Sequence, residues 1–320
     1  MSLHAEGVGG KSDTNHRAVL ILQGGKLVAE HYAPGYGPES RFATASIAKT
    51  VNAFLWMIAD ERGLADVDAP AAVPEWSAGD PRSEISNRHL INMVSGLDNE
   101  EDFSPLGRGM EMITSPDTAA VAARASKIAE PGERFYYVSA DTNLASRSLQ
   151  IALADHELSI AEFAETYLFD PMGADSFELV TDGAGTFIGS SLVYATGRDW
   201  ARLGQLTLQD GMREGVHILP DNLTTELQIP VRESEGAYKL GVWLNKEPLY
   251  GKPVKHPGLP LDTLDFHGVG GNHILIVPSS ETVIVRIGQA SGGSAFRHLQ
   301  RFLAGAYLLS VRESRMNLAF

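Results

Sequence analysis

The 320-residue chain has no cysteine. Thiolate nucleophiles, disulfides and thiolate metal sites are therefore excluded, while the compartment stays open, because many exported proteins also lack cysteine. Basic charge is scarce: 26 Lys and Arg stand against 40 Asp and Glu, a formal net charge of −14. Nucleic-acid binding relies on Lys and Arg displacing counterions, so no nucleic-acid partner is expected. The acidic surplus serves solubility. No apolar run reaches the ~20 residues that span a bilayer, and no transmembrane segment is expected. Residues 1–7 lack a charged n-region followed by an apolar h-region. They read as a trimmed start, which leaves cytoplasmic and periplasmic locations equally open.

Familiar site patterns are missing too. There is no H-E-x-x-H, and the ten histidines do not cluster at metal-ligand spacing, so neither metal nor cofactor is expected. No G-x-S-x-G elbow exists, since Ser95 and Ser190 lack the flanking glycines. The stretch Gly7-Val8-Gly9-Gly10-Lys11-Ser12 would need a glycine at Ala5 and a preceding strand to cradle phosphate, and it has neither.

What is present is an ordinary globular composition, 43% hydrophobic and 21% charged. Residues 1–16 are Gly-rich and polar and read as a tail, with 17–320 as one catalytic domain. Segments 18–23 and 26–32 are β-prone and separated by Gly24-Gly25, a two-residue hairpin signal. A helical pattern runs from Ser46 to Arg62, with Val51, Phe54, Leu55 and Ile58 on one face and Gly63 ending it. Helices and loops fill about 64–228, most clearly at 117–126, 142–155, 160–168 and 198–209. Strand character returns at 239–244, 274–277 and 282–287, before a last helix at about 294–309. Strands at both ends with helices between predict one sheet built from both termini, carrying an inserted helical region.

Ser46-Ile47-Ala48-Lys49 places a hydroxyl and an amine three residues apart on one face of a first helical turn. A serine hydroxyl is a poor nucleophile unless a base lies within hydrogen-bond reach. A lysine serves when burial lowers its pKa, and Ala43, Thr44, Ala45, Ile47 and Ala48 supply small or apolar flanks. Alone, this spacing arises by chance about once in a chain this long, with Ser46 as an N-cap and Lys49 solvated. Two later stretches keep it company. Pro131-Gly132-Glu133-Arg134-Phe135-Tyr136-Tyr137-Val138-Ser139 puts a loop tyrosine two residues before a hydroxyl, suited to moving protons or, more plainly, to packing a loop. Phe266-His267-Gly268-Val269-Gly270-Gly271-Asn272 leads into a strand with glycines that mark a close backbone approach, here to a substrate carbonyl. His267 there is an acid, a base, a polar contact or a structural imidazole.

In this order the motifs resemble those of the serine β-lactamase and penicillin-binding-protein superfamily. Within it the chain is similar to the class C β-lactamase-related branch of family VIII esterases, D-aminopeptidases and 6-aminohexanoate-dimer hydrolases. His89-Leu90-Ile91-Asn92-Met93-Val94-Ser95-Gly96-Leu97-Asp98 and Gly197-Arg198-Asp199-Trp200-Ala201-Arg202-Leu203-Gly204 add to the likeness, which covers nearly everything from Ala18 onward. The resemblance implies a β-lactamase-like α/β (α+β) fold with an antiparallel sheet. It implies Ser46 as nucleophile, Lys49 as its lysine, Tyr137 as proton carrier, and the backbone N–H groups of Ser46 and Val269 as oxyanion hole. Ser139 stands where the family has the Asn of Y-x-N, and Phe266-His267-Gly268 where lactamases have Lys-Thr-Gly. These four residues are the implied substrate-binding set. Losing that Asn and Lys moves the expected substrate from β-lactams toward esters or small amides. A β-lactamase or D-amino-acid peptidase is the alternative within this chemistry. A catalytically silent penicillin-binding-like sensor or scaffold is the alternative outside it. The expected partner is a small-molecule substrate.

Overall fold

A computed structural model describes residues 14–98, 101–247, 254–290 and 292–317. The phosphate-loop-like stretch at 7–12 and most of the expected tail lie outside them.

The chain opens with strands β1 (Thr14–Gln23) and β2 (Lys26–Tyr32), a hairpin whose turn glycines Gly24 and Gly25 both have positive φ. The strand starts earlier than the reading of 1–16 as a tail allows: Thr14, Asn15 and His16 pair with Ala290, Gln289 and Gly288. Short β3 (Arg41–Ala43) leads into a 3₁₀ turn, Ala45–Ile47, and helix α1 (Ala48–Glu61). The helical middle holds α2 (Asn87–Ile91), α3 (Arg108–Thr114), α4 (Thr118–Ala122), α5 (Ser139–Ala154), α6 (Ile160–Ala164) and α7 (Asp170–Met172). Strands β4 (Glu178–Leu179) and β5 (Val193–Thr196) follow, then helix α8 (Gly197–Leu208). A small hairpin of β6 (Met212–Arg213) and β7 (Val216–His217) precedes α9 (Leu223–Leu227). The last third supplies β8 (Tyr238–Lys239), β9 (Val242–Leu244), β10 (Leu264–Gly268), β11 (Asn272–Val277), β12 (Thr282–Ala290) and α10 (Gly292–Asn317).

The main sheet runs β2-β1-β12-β11-β10-β9-β8, antiparallel throughout, so its strands come from both chain ends as expected. Side chains alternate across it with the period of two that a pleated strand imposes. Leu20, Ile274, Ile276, Val283 and Val285 face the large core shared with α1, α5 and α8, whereas Ile21, Leu275 and Ile284 meet Leu299 and Leu303 of α10. Two of the glycines in the 197–204 motif let α8 lie close. A Cβ on Gly204 would stand 2.7 Å from Val283 and 2.9 Å from Ile274, and one on Gly197 would stand 2.8 Å from Leu20.

Two expectations need correction. The single strand at 239–244 is two, broken by a turn at Leu240 and Gly241, both with positive φ. Gly241 turns there because its backbone presses on α1: a Cβ would lie 2.7 Å from the Lys49 carbonyl oxygen. Likewise Phe266, His267 and Gly268 do not merely lead into a strand. They end β10, and Val269-Gly270-Gly271 turn the chain into β11. Among the described residues, no helix is long and apolar enough to cross a membrane.

Candidate active site

Ser46 sits in the 3₁₀ turn, ahead of the α-helix rather than within it. The turn is entered through Ala45 at φ +53°, a left-handed conformation that costs a non-glycine residue about 1–3 kcal/mol and is held by its surroundings. Lys49, one turn on, is 2% exposed. Its Nζ lies 3.2 Å from the Ser46 hydroxyl and 3.2 Å from the Ser139 hydroxyl, and donates to the Ser190 carbonyl at 2.8 Å. Burial lowers its pKa to about 8, against the opposing pull of the Glu101 carboxylate. A group that ordinarily holds its proton is thus brought within reach of neutrality.

Tyr137 precedes α5, on a loop fixed by the 89–98 stretch: Gly132 N–H donates to the Val94 carbonyl and Tyr136 N–H to that of Met93. Its ring lies 5.0 Å from Lys49 Nζ. Burial pushes its pKa up to about 12, while the neighbouring Ser46 hydroxyl and Trp243 indole act the other way. Ser46, Lys49, Tyr137 and Ser139 therefore share one site. Ser139 is tied on both sides, its hydroxyl to Lys49 and its N–H to the Glu101 carboxylate.

The glycine-bearing stretch is divided. Phe266 is fully buried, its ring edge-on to Phe54 at 5.8 Å, so its side chain packs the core instead of lining a cleft as a substrate contact. Gly268 makes the close approach its type suggests, but to the protein itself: a Cβ there would stand 1.9 Å from the Thr44 carbonyl oxygen. This brings the end of β10 onto the turn that carries Ser46. Val269 follows, 74% exposed, on a turn held by the buried Arg286, whose guanidinium donates to the carbonyls of Gly270 (3.1 Å) and Gly271 (2.7 Å). His267 stacks on His273 with ring centres 4.8 Å apart, and burial drives its pKa down to about 3. It is a neutral imidazole over the ordinary pH range.

Sequence reasoning missed a charged cluster behind this strand. Asp265, fully buried, meets His273 Nδ1 at 2.9 Å, His256 Nε2 at 2.8 Å and Lys255 Nζ at 3.1 Å. These three positive or neutral donors hold its carboxyl well below the usual range despite burial. Histidines scattered in sequence are thus gathered in space, and His256, Asp265 and His273 present ligand atoms within 4.8 Å of one another. The carboxylate–imidazole separations are those of hydrogen bonds, and an ammonium already faces the Asp265 oxygen that His256 uses, so the cluster fits a hydrogen-bonded network better than a metal centre. No local signal marked it, because its members come from separate stretches, 255–256, 265 and 273, and meet only through packing.

The family model described as Beta-lactamase matches residues 11–307. The 6-aminohexanoate-dimer hydrolase of Paenarthrobacter ureafaciens is 23% identical over 300 residues, covering 84% of this chain and 71% of its own. A Bacillus anthracis structure described as a candidate 6-aminohexanoate-dimer hydrolase superposes with TM-score 0.79 at 19% identity, over 95% of this chain and 81% of that one. A family VIII carboxylesterase gives TM-score 0.66 at 14% identity, over 89% and 90%.

Proposed function

The chain belongs to the beta-lactamase family of hydrolases, and on that premise we propose that it hydrolyses an ester or a small amide through an acyl-enzyme on Ser46. The observation that carries this reading is the buried Lys49 amine, 3.2 Å from the Ser46 hydroxyl. Neutral Lys49, with Tyr137, takes the Ser46 proton as the oxygen attacks the carbonyl. The N–H groups of Ser46 and Val269 receive the oxyanion, each donor worth about 3 kcal/mol, and the approach of Gly268 to Thr44 supports that pairing. Tyr137 hands the proton to the leaving group, and water then releases the acyl group by the same steps in reverse.

Esters and small amides rank above β-lactams because Phe266 leaves no cation on β10 for a substrate carboxylate, and Glu101 adds a negative charge beside Ser139. The 6-aminohexanoate-dimer hydrolase among the similar proteins accords with an amide substrate. The test is a panel of p-nitrophenyl esters, short linear amides and a chromogenic cephalosporin. Ester or amide turnover that Ser46→Ala removes is the expected result. Efficient cephalosporin turnover lost in the same variant would reverse the ranking.

A further inference from the structure

Lys255 lies on the loop before β10, and the acyl-transfer steps above make no use of it. Its Nζ stands 4.1 Å from the centre of the Trp243 ring and 3.1 Å from an Asp265 oxygen. The other ring neighbours of Trp243 are Tyr137 at 5.1 Å, Tyr238 at 5.4 Å and Phe135 at 6.4 Å between centres. The indole N–H, a donor only, favours the ionised Tyr137 phenol and lowers its pKa against the effect of burial. The hairpin carrying Trp243 is itself pinned on α1, where Thr50 Oγ1 donates to the Gly241 carbonyl at 2.8 Å. Trp243 is therefore fixed from behind by its hairpin and from one face by an ammonium.

A buried Asp265 would explain Lys255 as simple charge compensation. Each Asp265 oxygen, however, already has an imidazole at 2.8 or 2.9 Å, so the ammonium is not needed to satisfy the carboxylate. We propose that Lys255, anchored on Asp265, is a positioning residue that holds the Trp243 indole against Tyr137, so that the N–H steadies the phenol oxygen as its proton moves to and from Ser46. The assignment rests on the acyl-transfer reading above. The other charged or titratable groups facing Tyr137 are Lys49 from α1, Glu101 from its loop, Asp265 from β10 and Tyr238 from β8.

Two readouts separate this role from a structural one. In ¹⁵N-indole spectra the Trp243 resonance, identified by its loss in Trp243→Phe, is expected to move in both Tyr137→Phe and Lys255→Met and to stay in place in Lys255→Arg. In ester kinetics Lys255→Met is expected to lose about tenfold in kcat with KM within about twofold, Lys255→Arg to recover to within about threefold, and Trp243→Phe to match the methionine variant. A Trp243 resonance indifferent to Tyr137→Phe, or wild-type kcat in folded Lys255→Met, overturns the proposal. If Lys255→Met does not fold, wild-type kcat in Trp243→Phe overturns it. Absence of any ester or amide turnover in the wild type sinks the functional reading alone, since the indole resonance still reports the Lys255–Trp243–Tyr137 contact.

Discussion

At the scale of single residues, the site is a problem in desolvation. Lys49 is stripped of water and given hydroxyls and a carbonyl instead of a carboxylate at contact distance, so its proton is held loosely, with a pKa near 8. Its neutral form is the proposed base. The expected kcat/KM for an ester therefore rises with pH through about 8 in the free enzyme. Glu101 raises the Lys49 pKa, so Glu101→Gln is expected to move that acid limb to lower pH, with unchanged labelling of Ser46 at high pH. A limb that moves up or stays fixed would remove Glu101 from the electrostatics of the site. Tyr137→Phe is expected to cost about 10²- to 10⁴-fold in kcat, the range of general acid–base catalysis.

At the scale of elements, two turns bring distant strands onto the start of α1. The β8–β9 turn rests Gly241 on the Lys49 backbone, and the end of β10 rests Gly268 on Thr44. Gly268→Ala would drive a methyl group into the Thr44 carbonyl and is expected to push the two proposed oxyanion donors apart. The expected loss is about 10²- to 10³-fold in kcat, read beside a circular dichroism spectrum showing a folded protein. Arg286→Met removes the guanidinium from the Gly270 and Gly271 carbonyls, leaving Gly270 the Ala290 N–H, and is expected to lower both thermal stability and kcat, whereas a variant with normal kcat would show that the turn holds without it.

These contacts also divide what was legible in sequence from what was not. Ser46 and Lys49 stood out because their contact is local, three residues along one helical face, and Tyr137 because its motif surrounds it. Glu101, the Ser190 carbonyl, Trp243 and the Lys255–Asp265 pair meet the others only through long-range packing, which no window of sequence reports. Phe266 was misplaced for a related reason: a motif position shows which residue occurs there, not which face of the strand it takes.

At the scale of the molecule, the sheet was readable in outline because its central strands are short apolar runs and its strands come from both chain ends. Boundaries shifted where caps and turns decide them, as at Thr14 and in the split of β8 from β9. The close seat of α8 makes a stability prediction independent of catalysis. Gly204→Ala places a methyl group 2.7 Å from Val283 and is expected to cost about 1–3 kcal/mol in denaturant unfolding, while Ser46 stays reactive in the folded protein. The proposed hydrolysis requires that the whole fold deliver a reactive oxygen at Ser46. The direct test is treatment of the folded protein with a fluorophosphonate, followed by peptide mass mapping, with Lys49→Met alongside. A single adduct on Ser46, formed faster as pH rises through about 8 and at least about a hundredfold slower in Lys49→Met, is the expected result. No adduct on Ser46, or equal rates in the two proteins, would contradict it.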